Sequence, residues 1–299
     1  MCALALTGCS GTVSEAQKSA SASANAPSLQ YLAQWGVKGD GPGQLNQPSG
    51  IAVNSLGDVF LADSGSAFIS KFAYEGKPLL SFQEDGMNHP QSITLDSGGA
   101  IYVTDSARNS VFIILPNGDR YREIRLRSRS AAANSLSVAV TSDGLIHILD
   151  PAAGKIFTYT SRLRLVQTSE PRETVHGTGR FGPLVRGNDD NLYLGTPSGG
   201  IMKLSHDGRL LTELVASNGA QWNPNTGFAV ANNSVFVMDA NGLTLHIATT
   251  DGTPKLDADL APQLGQGNRR PPAIAVSPRN ELLILDADES RVLRYHLAF

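Results

Sequence analysis

The chain has almost no cysteine. Its two thiols, Cys2 and Cys9, both fall within the first nine of 299 residues. Past Cys9 there can be no disulfide framework and no thiolate metal centre. Long apolar runs are missing too, and no stretch approaches the roughly 20 apolar residues of a membrane-spanning helix. Neither sign of charge dominates: 24 Lys and Arg against 27 Asp and Glu leave a net charge of −3. That balance lacks the basic excess that draws a chain to polyanions, so nucleic acid is not an expected partner. No Gly-x-Ser-x-Gly elbow, His-Glu-x-x-His pair or Gly-x-x-x-x-Gly-Lys-Ser/Thr loop occurs, so no motif demands a cofactor.

What the chain has is repetition. Residues 41–82 hold four short apolar runs separated by Gly, Asn and Asp turns, the pattern of a four-stranded antiparallel meander. The second run, Val59-Phe-Leu-Ala-Asp63, returns as Ile101-Tyr-Val-Thr-Asp105, Ile146-His-Ile-Leu-Asp150, Leu192-Tyr-Leu-Gly-Thr196, Val235-Phe-Val-Met-Asp239 and Leu282-Leu-Ile-Leu-Asp286. The copies lie 42 to 47 residues apart, the period of one propeller blade. Each follows a run of small apolar residues, such as Ile51-Ala-Val53 or Ile274-Ala-Val276, which suits strands crowded around an axis. The sixth unit ends at Phe299 without an outer strand, whereas Leu29–Trp35 is a spare strand at the other end. Pairing the two closes the ring and removes an exposed edge. The expected fold is therefore all-β: one six-bladed β-propeller over residues 29–299, closed by an N-terminal strand that completes the last blade.

Gly43-Gln-Leu-Asn-Gln-Pro-Ser-Gly-Ile-Ala-Val53 and Tyr102-Val-Thr-Asp-Ser-Ala-Arg-Asn-Ser-Val111 resemble NHL repeats. The resemblance is strongest in units one and two and weakest in four and five, and it implies a propeller without implying one activity. The opening is different in kind. Leu6-Thr-Gly-Cys9 resembles a bacterial lipoprotein box, which implies lipidation at Cys9 and makes residues 1–9 a signal remnant. A Ser- and Ala-rich tether follows over 10–28, too poor in large apolar side chains to fold by itself. Ser10 stands where an inner-membrane retention aspartate would be, so the resemblance implies the outer membrane facing the periplasm, or failing that a periplasmic or secreted protein. The membrane is then engaged by the lipid anchor only.

In a propeller, the loop entering each inner strand and the loop after each second strand open on one face, here called the top, around an axial channel. The candidate ligand-binding residues there are His89, Arg108, Asn134, Arg180, Phe181, Asn225 and Arg270. The recurring Asp is expected to fix the turn after its strand by accepting backbone N–H groups. Asp286, Asp288 and Glu289 are the most acidic cluster and the candidate calcium ligands, calcium being a hard cation. Peptide-amidating lyases, which resemble NHL propellers, hold zinc with three histidines near the axis; only His89 and His176 are positioned for that here. Arg120, Arg122, Arg125, Arg127 and Arg129 are read as guards on an outer edge strand. The expected function is that of a monomeric, envelope-anchored binding or scaffolding propeller, more a binder than an enzyme, presenting its top face to a protein, peptide or glycan. The alternative is a calcium- or zinc-assisted lactonase or lyase acting at the axial channel.

Overall fold

A computed structural model describes residues 27–126, 136–171, 180–216, 222–224, 227–265 and 273–298. They form six four-stranded antiparallel sheets arranged as the blades of a propeller. Blade one is β2 (Pro48–Val53), β3 (Val59–Asp63), β4 (Phe68–Phe72) and β5 (Pro78–Gln83). Blade two is β6 (Pro90–Leu95), β7 (Ile101–Asp105), β8 (Ser110–Ile114) and β9 (Arg120–Arg125). Blade three is β10 (Ser137–Val140), β11 (Ile146–Asp150), β12 (Lys155–Tyr159) and β13 (Leu165–Ser169). Blade four is β14 (Leu184–Arg186), β15 (Leu192–Gly195), β16 (Ile201–Leu204) and β17 (Leu210–Leu214). Blade five is β18 (Phe228–Ala231), β19 (Ser234–Met238), β20 (Thr244–Thr249) and β21 (Pro254–Asp259). A single helical turn, α1 (Ala261–Leu264), leads to blade six, β22 (Ala273–Val276), β23 (Glu281–Asp286) and β24 (Arg291–Ala298). As expected, the fourth strand of blade six is β1 (Ser28–Trp35), paired antiparallel with β24 from Ser28↔Ala298 to Trp35↔Val292.

The core is divided into six apolar clusters, one for each junction between blades. Phe60 and Ala62 of β3 face Ile93, Val103 and Phe112 of blade two. Val59 and Leu61 of the same strand face Leu283, Leu285 and Val292 of blade six. Alternate residues of a second strand thus serve opposite junctions, which is why these strands are buried on both sides and read as unbroken apolar runs. The innermost strands carry small residues because neighbours nearly touch: a Cβ on Gly50 would lie 2.2 Å from the carbonyl of Gln91.

Two contacts lock the ring shut. Trp35 of β1 reaches over to blade one, 4.8 Å from the Phe72 ring and against Gly76, whose φ of +91° favours glycine and where a Cβ would sit 2.2 Å from the indole. Arg291 at the start of β24 gathers three elements: Nε–H donates to Asp286 (3.0 Å), Nη1 to Gln34 of β1 (2.7 Å) and Nη2 to the Gln263 carbonyl of α1 (2.8 Å). On the outer edge of blade two, β9 holds Arg120, Arg122 and Arg125, and Arg125 pairs with Glu123 at 3.1 Å. Arg127 and Arg129 lie outside the described residues.

Candidate functional site: the axial channel and its top face

The top face is where the repeated aspartates are used. Asp63 accepts the N–H groups of Gly65 and Ser66 on one oxygen (3.0 and 3.1 Å) and that of Asn46 on the other (2.5 Å). Asp105 accepts Arg108 N–H (3.0 Å) on one oxygen and Asn88 and His89 N–H (2.6 and 3.0 Å) on the other. Asp150 accepts Ala152 and Ala153, and Asp239 accepts Leu243 and Thr244. Each carboxylate shapes the turn after its own strand; Asp63 and Asp105 also hold the loop entering the inner strand of the same blade. The two loops are joined directly as well: Ser64 N–H donates to Gln47 O and Ser106 N–H to His89 O. In blade four Thr196 does this work, its hydroxyl bonding Gly200 N–H and Ser198. Burial pushes the Asp63 carboxyl above its usual range, opposed by the Asn46, Ser66 and Gly65 N–H bonds.

The same geometry gives one of the calcium candidates other partners. Asp286 is 3% exposed, binds the Arg291 guanidinium at 3.0 Å and takes Glu289 N–H at 3.4 Å. A carboxylate neutralised by an arginine is poorly placed to serve a cation. Among the described residues no group of three or more His, Cys, Asp or Glu is placed to hold a metal ion, so Asp286, Asp288 and Glu289 do not form such a set. His147 is fully buried between the Thr141 and Thr158 hydroxyls (3.2 and 3.1 Å), and burial lowers its pKa to about 4. His246 faces Asp257 at 2.8 Å across β20 and β21. His176 lies outside the described residues.

Along the axis the inner strands enclose an open cavity of about 780 Å³. Of the sequence candidates, Arg180 and Phe181 border it. Arg180 is exposed; Phe181 is 5% exposed and packs with Leu149, Leu184 and Leu194, so its ring is part of the wall. His89 is exposed on the top-face loop entering β6, outside the cavity lining, its backbone N–H and carbonyl tied to Asp105 and Ser106. Arg108 points outward along blade two, 3.6 Å from Glu123 of β9 and against Gly86, away from the axis. Asn134, Asn225 and Arg270 lie outside the described residues. Attention to loops alone missed Gln91, Ser92 and Thr94 of β6 and Arg186 of β14, which line the channel. Their signal was available, because polar side chains interrupt these inner strands where a fully buried strand would have none.

Comparison with known proteins agrees with this architecture. The NHL repeat model matches residues 45–72 and 87–114, which are the three inner strands of blades one and two with their connecting loops. E3 ubiquitin-protein ligase TRIM32 of Homo sapiens is 25% identical over 318 aligned residues, covering 94% of this chain, and the Mus musculus protein matches equally. The chain spans about half the length of these curated relatives, 47% of each. Among solved structures, virginiamycin B lyase from Staphylococcus aureus, in a catalytically inactive form with quinupristin, superposes with a TM-score of 0.63 at 18% identity, covering 90% of this chain and 85% of that one. The Cps50 (Swd1) β-propeller domain of Myceliophteria thermophila gives 0.62 at 11% identity, covering 90% and 99%. At these identities the likeness is one of fold. The segments 45–72 and 87–114 of this chain are NHL repeats, and its described residues form a six-bladed β-propeller.

Proposed function

We propose that the protein is a non-catalytic binding propeller of the cell envelope, which offers the top-face mouth of its axial channel to a protein or peptide partner. The observation that carries this reading is the destination of the repeated carboxylates. In five blades they are spent on backbone N–H groups or on Arg291, so the acidic residues build loops of fixed shape around an open cavity. Preorganised loops on a rigid scaffold are the usual form of a recognition surface. The NHL repeats and the likeness to TRIM32 support a protein partner in general terms. A glycan is the other envelope ligand considered, and a calcium- or zinc-assisted lactonase or lyase the alternative function; the likeness to virginiamycin B lyase supports the latter only at the level of fold.

The test is a photo-crosslinking residue placed at His89, on a top-face loop, and separately at His206, in the β16–β17 turn of the opposite face; both positions are exposed. In cells the first is expected to give a discrete adduct with an envelope protein and the second none. Adducts from position 206 alone would overturn the assignment of the face. A stoichiometric calcium or zinc retained by the dialysed protein would move the reading to the enzyme alternative.

We infer further that Cys9 carries a lipid, that the residues between it and β1 are a tether, and that the propeller hangs as a monomer from the outer membrane into the periplasm. The Leu6-Thr-Gly-Cys9 box supports this. Cys9→Ser is expected to leave the fold unchanged and to shift the protein from the membrane to the soluble fraction. Unchanged fractionation would refute the anchor.

A further inference from the structure

The channel wall has an uneven charge. Its described lining includes no Asp or Glu, while Arg180 and Arg186 stand on it at the two ends of the segment that runs through β14. Of the carboxylates on the top-face loops, Asp63, Asp105 and Asp150 are at most 1% exposed and bonded to turn amides, and Asp239 and Asp288 are half-buried and Glu289 exposed, none of them on the cavity wall. Arg186 is compensated by Asp190, 3.3 Å away. Among the described residues no carboxylate pairs with Arg180, which is exposed at the mouth. Gln91, Ser92 and Thr94 of β6, all half-buried, are polar residues of the same cavity lining. The two aromatic residues on the wall, Phe181 and Phe228, are 5% and 3% exposed within core clusters, so neither offers a face for stacking on a sugar ring.

We propose that Arg180 and the polar wall of β6 form a carboxylate-reading subsite, and that the partner enters the channel as an extended peptide led by its free C-terminal carboxylate. The guanidinium fork matches a carboxylate in bidentate geometry, and the hydroxyl and amide side chains of β6 on the same cavity are the groups that would take the preceding backbone. A cavity of about 780 Å³ admits a few residues of such a chain. The inference rests on the binding reading above and names the chemistry of its partner.

The experiment is fluorescence anisotropy of the full chain with a labelled alanine pentapeptide carrying a free C-terminus, with its amidated form, and with inorganic sulfate as competitor. The free acid is expected to bind at least about tenfold tighter than the amide, and less tightly as salt rises. Arg180→Gln is expected to abolish that preference with an unchanged melting curve, Arg180→Lys to retain part of it, and His206→Ala to retain all of it. Equal binding of acid and amide, no binding of either, or an unchanged Arg180→Gln variant overturns the subsite. Sulfate displacing the peptide at equal concentration overturns it in favour of a bare anion site. If crosslinking through position 89 survives Arg180→Gln, the binding propeller stands and the carboxylate subsite falls; if crosslinking is absent in the unmutated chain, both fall.

Discussion

Truncation of Arg291 should open the ring at its seam. The guanidinium makes three hydrogen bonds to three elements that are otherwise held by strand pairing and apolar contact. Only the bond to Asp286 joins two charges, and that acid is 3% exposed whereas the arginine side chain is 21% exposed. Removing one partner of a buried pair costs about 3–5 kcal/mol, because the remaining charge is left without compensation. Water reaches the arginine end, so the loss from Arg291→Met should lie near the lower limit, about 3 kcal/mol. At about 2–4 °C per kcal/mol for a domain of 150–250 residues, the melting temperature should fall by about 6–12 °C. Asp286→Asn in the same chain removes the stranded charge, so the double variant should be more stable than the sum of the single losses by at least about 1 kcal/mol. Thermal and urea denaturation measure both, followed by tryptophan emission, since Trp35 sits at the seam. A melting temperature within about 2 °C of the unmutated protein, or strict additivity in the cycle, would refute the reasoning.

Gly76→Ala combines a left-handed φ of +91° with a Cβ driven into the Trp35 ring; a loss of about 2 kcal/mol or more and a red-shifted Trp35 emission are expected in urea titrations. His147 is held neutral by burial, with a pKa of about 4 against an ordinary 6.5. Its folded pKa is the lower one, so this contribution is complete above about pH 6.5 and is lost as pH falls toward 4, in total about 3 kcal/mol. Urea midpoints measured from pH 7 to 4 should show that slope, and His147→Gln should flatten it; an unchanged slope would point to other groups.

The turn-fixing role of the aspartates was legible in the sequence because it is local. Asp105 and the Arg108 N–H it accepts are three residues apart, so the same signature recurs wherever the chain makes the same turn. Blade closure was legible for a similar reason: a unit lacking its outer strand at one terminus and a spare strand at the other leave one pairing that satisfies both edges. The binding residues were less so. Arg108 and Arg180 look alike as loop arginines, but the structure sends the first outward to Glu123 and leaves the second on the channel wall. Asp286 reads as a calcium candidate because Asp288 and Glu289 lie beside it in sequence, and the structure adds what sequence did not show, an arginine partner from the start of the next strand.

By itself, then, the sequence determined the number of blades, the strands within each, the closing pair and the job of the repeated acid. All of these follow from periodicity and short-range hydrogen bonding, which depend on residues within a few positions or one repeat of each other. Tertiary structure decided which polar side chains share the axis, which carboxylates are already neutralised, and what holds the seam. Those outcomes depend on where blades that are far apart in the chain meet: Gln34 and Arg291, 257 residues apart, become hydrogen-bonded only when the ring is closed.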